Sequence, residues 1–258
     1  MIYQLKSYIK FLFKSSNQHG VHSPFVFDLI TKCFYKKTNP KKLKLITAYR
    51  NDLLQNTSII SVTDFGKGSK VFKSKERSVD KIAKIAGISY KRSKLLIRLT
   101  NYLNTKSILE LGTSLGIGTA SASIGNPQSQ ITTLEGCPET ANIAINQFKK
   151  FNINNINTLI GDFNKILPPI LNNNYYDLIY FDGNHQKKPT LDYFKLSLNS
   201  IHNDTVFIFD DIHWSKEMTE AWEEIKNHPK VTVTIDTFFW GFVFFRAEQL
   251  KEHFIIRV

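Results

Sequence analysis

Apolar and polar positions follow two different rhythms along the chain. From Ser107 onward, short apolar runs alternate with stretches of helical spacing. The runs predict strands at residues 108–111, 131–134, 156–160, 177–181, 205–209, 231–235 and 240–245. The stretches between them predict helices near 117–124, 138–150, 164–171, 189–200 and 216–227. Strands alternating with helices imply a mostly parallel sheet covered on both faces. The last two runs have no helix between them and should form a hairpin across Asp236 to Phe239.

Before Ser107 the spacing is mainly helical. Ile2, Leu5, Ile9, Leu12 and Phe13 recur on one side of a helix, with Lys6, Lys10 and Lys14 between them. Such a stripe packs on the protein's own body, on a second subunit as in a homodimer, or on a membrane surface. Ser23-Pro24 reads as an N-cap followed by proline at the first helical position, opening a helix through about Tyr35. Residues 36–44 read as a charged linker and 45–54 as a helix. Ser78 and Ser89 are candidate caps for the helices that follow. Leu95, Leu96, Leu99 and Leu103 mark a helix over 90–103 that leads into the first strand. The expected organisation is a basic, mostly helical extension over 1–79 and an α/β domain over 80–258.

Composition narrows the class. A chain of 258 residues can bury a full core as one domain with an appendage. Its hydrophobic content of 42% excludes a disordered chain. Cys33 and Cys137 make no disulfide framework and show no metal-ligand spacing, which suits a reducing, cytoplasmic setting. No apolar run is long enough to span a bilayer, and the early lysines argue against a signal peptide. The net charge of +12 is unevenly spread. Residues 1–106 hold 22 Lys and Arg against 5 Asp and Glu, whereas residues 107–258 hold 12 against 17. A basic N-terminal half suits nucleic acid, an anionic membrane surface or an acidic substrate. A general bias towards Lys, Asn and Ile accounts for the same excess.

The candidate chemistry starts at Ser107-Ile-Leu-Glu-Leu-Gly-Thr-Ser-Leu-Gly-Ile-Gly-Thr119, where a strand ends in a glycine turn and a small-residue helix follows. Gly112, Gly116 and Gly118 let the backbone approach a ligand, and the helix N-terminus presents unpaired N–H groups. Their order is not that of a dinucleotide site, and no Lys-Ser/Thr follows at phosphate-loop spacing. Glu110 would repel a diphosphate and welcome an amino group. S-adenosylmethionine (SAM), a nucleoside carrying an α-amino acid and no phosphate, fits these features. The loop, with Thr113 and Ser114 inside it, resembles motif I of the class I SAM-dependent methyltransferases. The resemblance covers about residues 80–258 and implies a Rossmann-like sheet of seven strands whose last pair is a hairpin. Residues 64–69, Asp-Phe-Gly-Lys-Gly-Ser, superficially mimic such a loop, but no acid-ended strand follows them. They read as a basic loop, either one that folds over a ligand or a plain surface turn.

Sheets of this type bind ligands at the carboxyl ends of their strands. Glu135 ends the second strand, where an acid takes the ribose hydroxyls in related folds. The resemblance places Asp162 at the adenine amino group and Phe163 beside the ring; alternatively, Asp162 caps the next helix. Asp182 ends the fourth strand, within Asp182-Gly-Asn-His185, and Asp210-Asp211 end the fifth. Three converging carboxylates repel one another unless a cation or protons intervene, and oxygen ligands suit Mg²⁺. The arrangement resembles the catechol and caffeoyl-CoA O-methyltransferases, whose metal ligands occupy these strand ends. The Asp-Gly-x-His form is closer still to the macrolide-sugar O-methyltransferases, which implies His185 as general base beside a catalytic Asp182 that also touches the cofactor. The departure is Asp211, where the catechol type has asparagine. For His213 and Trp214 the simpler reading is packing against the 216–227 helix.

These features predict a metal-assisted O-methyltransferase acting on a small-molecule hydroxyl. One competing reading is an RNA methyltransferase using the basic half. It lacks an Asn/Asp-Pro-Pro-aromatic tetrad, because Leu167-Pro168-Pro169-Ile170 is not one. Another is a SAM-binding module without catalysis, against which the acids and His185 argue.

Overall fold

The computed structural model describes residues 2–63 and 74–258. Helix α1 (Ile2–Lys14) leads through a 3₁₀ turn to α2 (Pro24–Leu29), which continues as a π turn over Ile30–Phe34. Ser23 opens α2 as expected, its hydroxyl accepting from the Val26 N–H. Helix α3 (Pro40–Gln55) takes in part of the stretch read as a linker. The cause is Asn39, whose side chain accepts from the Lys41 and Lys42 N–H groups ahead of Pro40. Strand β1 (Ile59–Ser61) pairs antiparallel with β2 (Glu76–Ser78), so strands interrupt the helices of the extension. The basic loop read at residues 64–69 lies outside the described residues. Helices α4 (Val79–Ile85) and α5 (Tyr90–Leu103) follow, and Asn104 closes α5 in a left-handed conformation.

From here strands and helices alternate. β3 (Ser107–Leu111), α6 (Ile117–Gly125), β4 (Gln130–Glu135), α7 (Pro138–Lys150), β5 (Ile156–Ile160) and α8 (Phe163–Leu171) come first. β6 (Leu178–Phe181), α9 (Lys187–Ser197), β7 (Val206–Asp210) and α10 (Lys216–Asn227) follow. The chain ends with β8 (Val233–Asp236), β9 (Trp240–Phe244) and β10 (Glu252–Ile255).

Two compact units result, one of Lys36–Ile166 and one of Met1–Tyr35 with Leu167–Val258. Residues 1–79 contribute to both. In the first unit, β3, β4 and β5 run parallel with β4 in the middle, and Glu110 lies opposite Thr133. Every residue of α6 is buried, because its glycines, alanines and serines allow close approach to α5. The Thr100 hydroxyl donates to the Ala122 carbonyl at 3.1 Å, where a side chain at Gly125 would overlap it.

In the second unit the strand order is β10-β8-β9-β7-β6. β6 and β7 are parallel, whereas β9 runs antiparallel to both β7 and β8. The expected hairpin is therefore present. It is not the last pair, because β10 lies parallel to β8 with Glu252 opposite Val233. Lys251, Glu252 and His253 interrupt the apolar pattern there, so no run announced this strand. β7 and β9 are buried along their whole length, and Phe181, Phe194, Phe207 and Phe209 interlock around them. The mixed α/β architecture is the fold class that the strand–helix rhythm predicts. Among the described residues no helix is long and apolar enough to cross a membrane.

Candidate active site

The glycine loop joins β3 to α6 in the Lys36–Ile166 unit. Gly112, Ser114 and Gly116 all have positive φ, at 108°, 48° and 75°. The Gly112 and Thr113 N–H groups donate to the Leu134 carbonyl, and the Thr113 and Thr133 hydroxyls lie 2.6 Å apart. Gly112 and Ser114 are half-exposed, whereas Gly116 and Gly118 are buried. A Cβ on Gly116 would fall 2.5 Å from the Phe148 ring and 2.7 Å from the Tyr49 hydroxyl. Tyr49, from α3, donates to the Leu115 carbonyl at 3.0 Å. Protein packing alone thus demands glycine at 116.

Two carboxylates organise the loop. Glu135 accepts from the Ser114 N–H at 2.7 Å through one oxygen and from the Cys137 N–H at 2.9 Å through the other. It ties the loop to the turn after β4. Glu110 is buried and accepts from the Thr119 hydroxyl and, at 2.6 Å, the Thr133 hydroxyl. Burial pushes its carboxyl up to about 7; the two hydroxyls oppose the rise and the charge of Glu135 adds to it. Asp162 accepts from the Asn164 N–H at 2.9 Å and from its side-chain amide at 3.0 Å, the geometry of a helix cap for α8. Phe163, the first residue of α8, is half-buried.

The other acids lie in the unit that holds β6 and β7. The pairing of Phe181 with Phe209 brings the next residues, Asp182 and Asp210, to neighbouring strand ends. Asn184, at φ 51°, turns the chain after β6. Ligand atoms of Asp182, His185 and Asp210 all lie within 4.8 Å of one another. His185 Nε2 is 3.8 Å from Asp182, and the Tyr180 hydroxyl donates to the same carboxylate at 2.9 Å. Asp211 is not part of this group. It sits past the strand end at φ 54°, and its carbonyl accepts from the Trp214 N–H in a turn. His213 is bound elsewhere, to Asp236 at 2.8 Å and Thr219 at 3.2 Å. Two carboxylates and one imidazole form a donor set that fits a divalent cation.

Sequence reading missed Tyr49, Thr119, Thr133 and Tyr180. Tyr180 was within reach, because residues two apart on a strand share a face. The threonines and Tyr49 depend on register and tertiary packing.

Residues 109–212 match a methyltransferase-domain family, a span that includes Glu110, Glu135, Asp162, Asp182, Asp210 and Asp211. Solved structures share the fold. The SAH-bound methyltransferase of Podospora anserina has 14% identity and a TM-score of 0.61, covering 83% of this chain and 91% of its own. An O-methyltransferase from Bacillus cereus in complex with SAH has 19% identity and a TM-score of 0.55, covering 85% and 95%. The O-methyltransferase TomG of Streptomyces achromogenes, involved in tomaymycin synthesis and bound to SAM, has 15% identity and a TM-score of 0.55, covering 86% and 95%. No curated protein sequence matches the chain.

Proposed function

We propose that this chain, whose residues 109–212 match a methyltransferase-domain family, moves a methyl group from SAM to a small-molecule hydroxyl with divalent-metal assistance. The observation that carries the reading is the compact group of Asp182, His185 and Asp210. The SAM and SAH held by similar structures support the cofactor.

SAM, when bound, supplies a methyl that is already electrophilic. The residues that would hold it are Gly112, Ser114 and Glu135 at the accessible rim of the loop, with Asp162 and Phe163 after β5. Glu135 fixes the loop through both its oxygens, so the rim is ordered before any ligand arrives. Glu110, titrating near neutrality, offers its carboxylate to a cationic amino group.

A divalent cation, when bound, lowers the pKa of a coordinated hydroxyl. Asp182 and Asp210 would hold it, with Tyr180 orienting the Asp182 carboxylate. His185 Nε2 would then accept the proton of the acceptor hydroxyl. An acceptor offering two adjacent oxygens suits such a site, which favours vicinal hydroxyls on an aromatic ring or a sugar.

The test is SAM and SAH calorimetry on the folded chain, then mass spectrometry of products from a panel of vicinal diols with Mg²⁺. Asp210→Asn and EDTA should each abolish turnover while the fold persists, and His185→Ala should flatten the rising limb of the rate–pH profile. Absence of SAM and SAH binding would overturn the cofactor assignment. Turnover that survives both EDTA and Asp210→Asn would overturn the metal. Weaker metal binding in His185→Ala, with the pH limb intact, would make His185 a ligand instead of the base.

A further inference from the structure

The Lys36–Ile166 unit contains a cavity of about 590 Å³ at the end of its sheet away from the glycine loop. Gln130, which opens β4, and Asn155, which precedes β5, mark that end. The glycine loop, Glu135 and Asp162 follow the other ends of the same parallel strands. Leu45 from α3, Ile124 from α6, Pro127, Phe151 and Ile153 give the cavity apolar walls. The protein holds those walls in place by itself. Asn155 accepts from the Ser123 hydroxyl at 2.6 Å and donates to the Ser129 carbonyl at 2.7 Å, and the Tyr49 ring meets Phe151 at 5.2 Å. Size, apolar walls and prior order are the marks of a small-molecule pocket.

Charge at the cavity has one sign. Lys41 and Lys42 line it, and no Asp or Glu does. Lys42 Nζ donates to the Asn101 side chain at 2.7 Å and to the Gly125 carbonyl at 2.6 Å, both neutral acceptors. An ammonium has three donors, so one remains. Among the described residues neither lysine pairs with a carboxylate. Burial lowers the Lys42 ammonium from its ordinary value, with no carboxylate to oppose the fall. A half-buried cation ordinarily has a counter-charge.

We propose that this cavity is a second small-molecule site, which takes an organic anion with an apolar body. Its carboxylate or phosphate head lies on Lys41 and Lys42, and its hydrocarbon lies against Leu45, Ile124 and Phe151. The lining selects this occupant. A neutral ligand would leave the two cations unbalanced, and an inorganic anion would leave the apolar walls unused. The volume falls within the range of pockets that hold one metabolite-sized molecule. The proposal is independent of the methyl-transfer reading, since it uses none of the residues assigned to SAM or to the metal.

The experiment is ligand-observed NMR titration of the full chain with octanoate, octyl phosphate and octanamide, which share an apolar tail and differ in the head. At least one of the two anions should bind roughly tenfold more tightly than the amide, the scale of one hydrogen bond to a charged group. The tighter anion names the head group. Lys41→Gln with Lys42→Gln should remove that preference. Leu45→Trp, at a position 52% exposed, should fill the cavity and abolish binding of all three. If the double variant fails to fold, Lys41→Gln alone, on an exposed residue, should lower anion affinity about threefold. No binding of either anion, or amide binding as tight as both, overturns the proposal. Anion binding that survives Leu45→Trp, or that ignores the lysines, overturns it too.

Discussion

Replacing Glu110 with glutamine should change how stability depends on pH. Burial raises the Glu110 carboxyl from 4.5 to about 7 in the folded chain, more than its two hydroxyl donors lower it. In the unfolded chain the same group titrates at its ordinary value. Between the two values the folded state keeps a proton that the unfolded state has released. Stability is therefore fully present below the unfolded value and falls as pH rises through the window, until about 7. The shift is about 2.5 units, and at 1.36 kcal/mol per unit the full loss is about 3 kcal/mol. Glutamine has nearly the same shape and no charge to bury, so the variant lacks this term. Its amide introduces a donor that needs a partner, but that cost does not vary with pH. The difference in unfolding free energy between Glu110→Gln and wild type should thus move by about 3 kcal/mol in the variant's favour from about pH 4.5 to about pH 8. Urea denaturation followed by tryptophan fluorescence at several pH values measures it. A difference that stays constant across the window would refute the reasoning and mean that Glu110 ionises as an ordinary carboxylate.

Two further substitutions test the loop. Glu135→Ala removes the acceptor for the Ser114 and Cys137 N–H groups and should weaken SAH binding by about 1–3 kcal/mol, read by calorimetry. Unchanged affinity would remove Glu135 from the ligand. Gly116→Ala must keep φ at 75° while its methyl meets Phe148 and Tyr49, which should cost on the order of 1–3 kcal/mol in denaturant unfolding. A variant as stable as wild type would mean that Tyr49 and Phe148 give way freely.

Periodicity by itself determined the α/β alternation. Buried parallel strands must be short apolar runs, and the helices between them must carry one apolar side, so β6, α7 and α10 lie where their residues predict. The same local chemistry announced the caps at Ser23 and Ser89, because a hydroxyl one residue before a helix acts over three residues. The acids, too, were legible as positions at strand ends.

Which side chains meet was decided only in three dimensions. Thr133 reaches Glu110 because β3 and β4 pair in one register, and a slip by one residue would turn it to the other face. Tyr49 reaches Leu115 across 66 positions of chain, a contact that no local window contains. Asp210 joins Asp182 and His185 while its neighbour Asp211 does not, since the backbone leaves the strand at that residue with positive φ. β10 forms with charged residues at its start because β8 offers a free edge to pair with, and that edge exists only once the hairpin has folded. The outward stripe of α1 is the clearest case. Its amphipathic pattern was plain in the sequence, but the direction it faces follows from the contacts of Phe11, Ser16 and Arg257, which lie on other elements or on the opposite side of the helix.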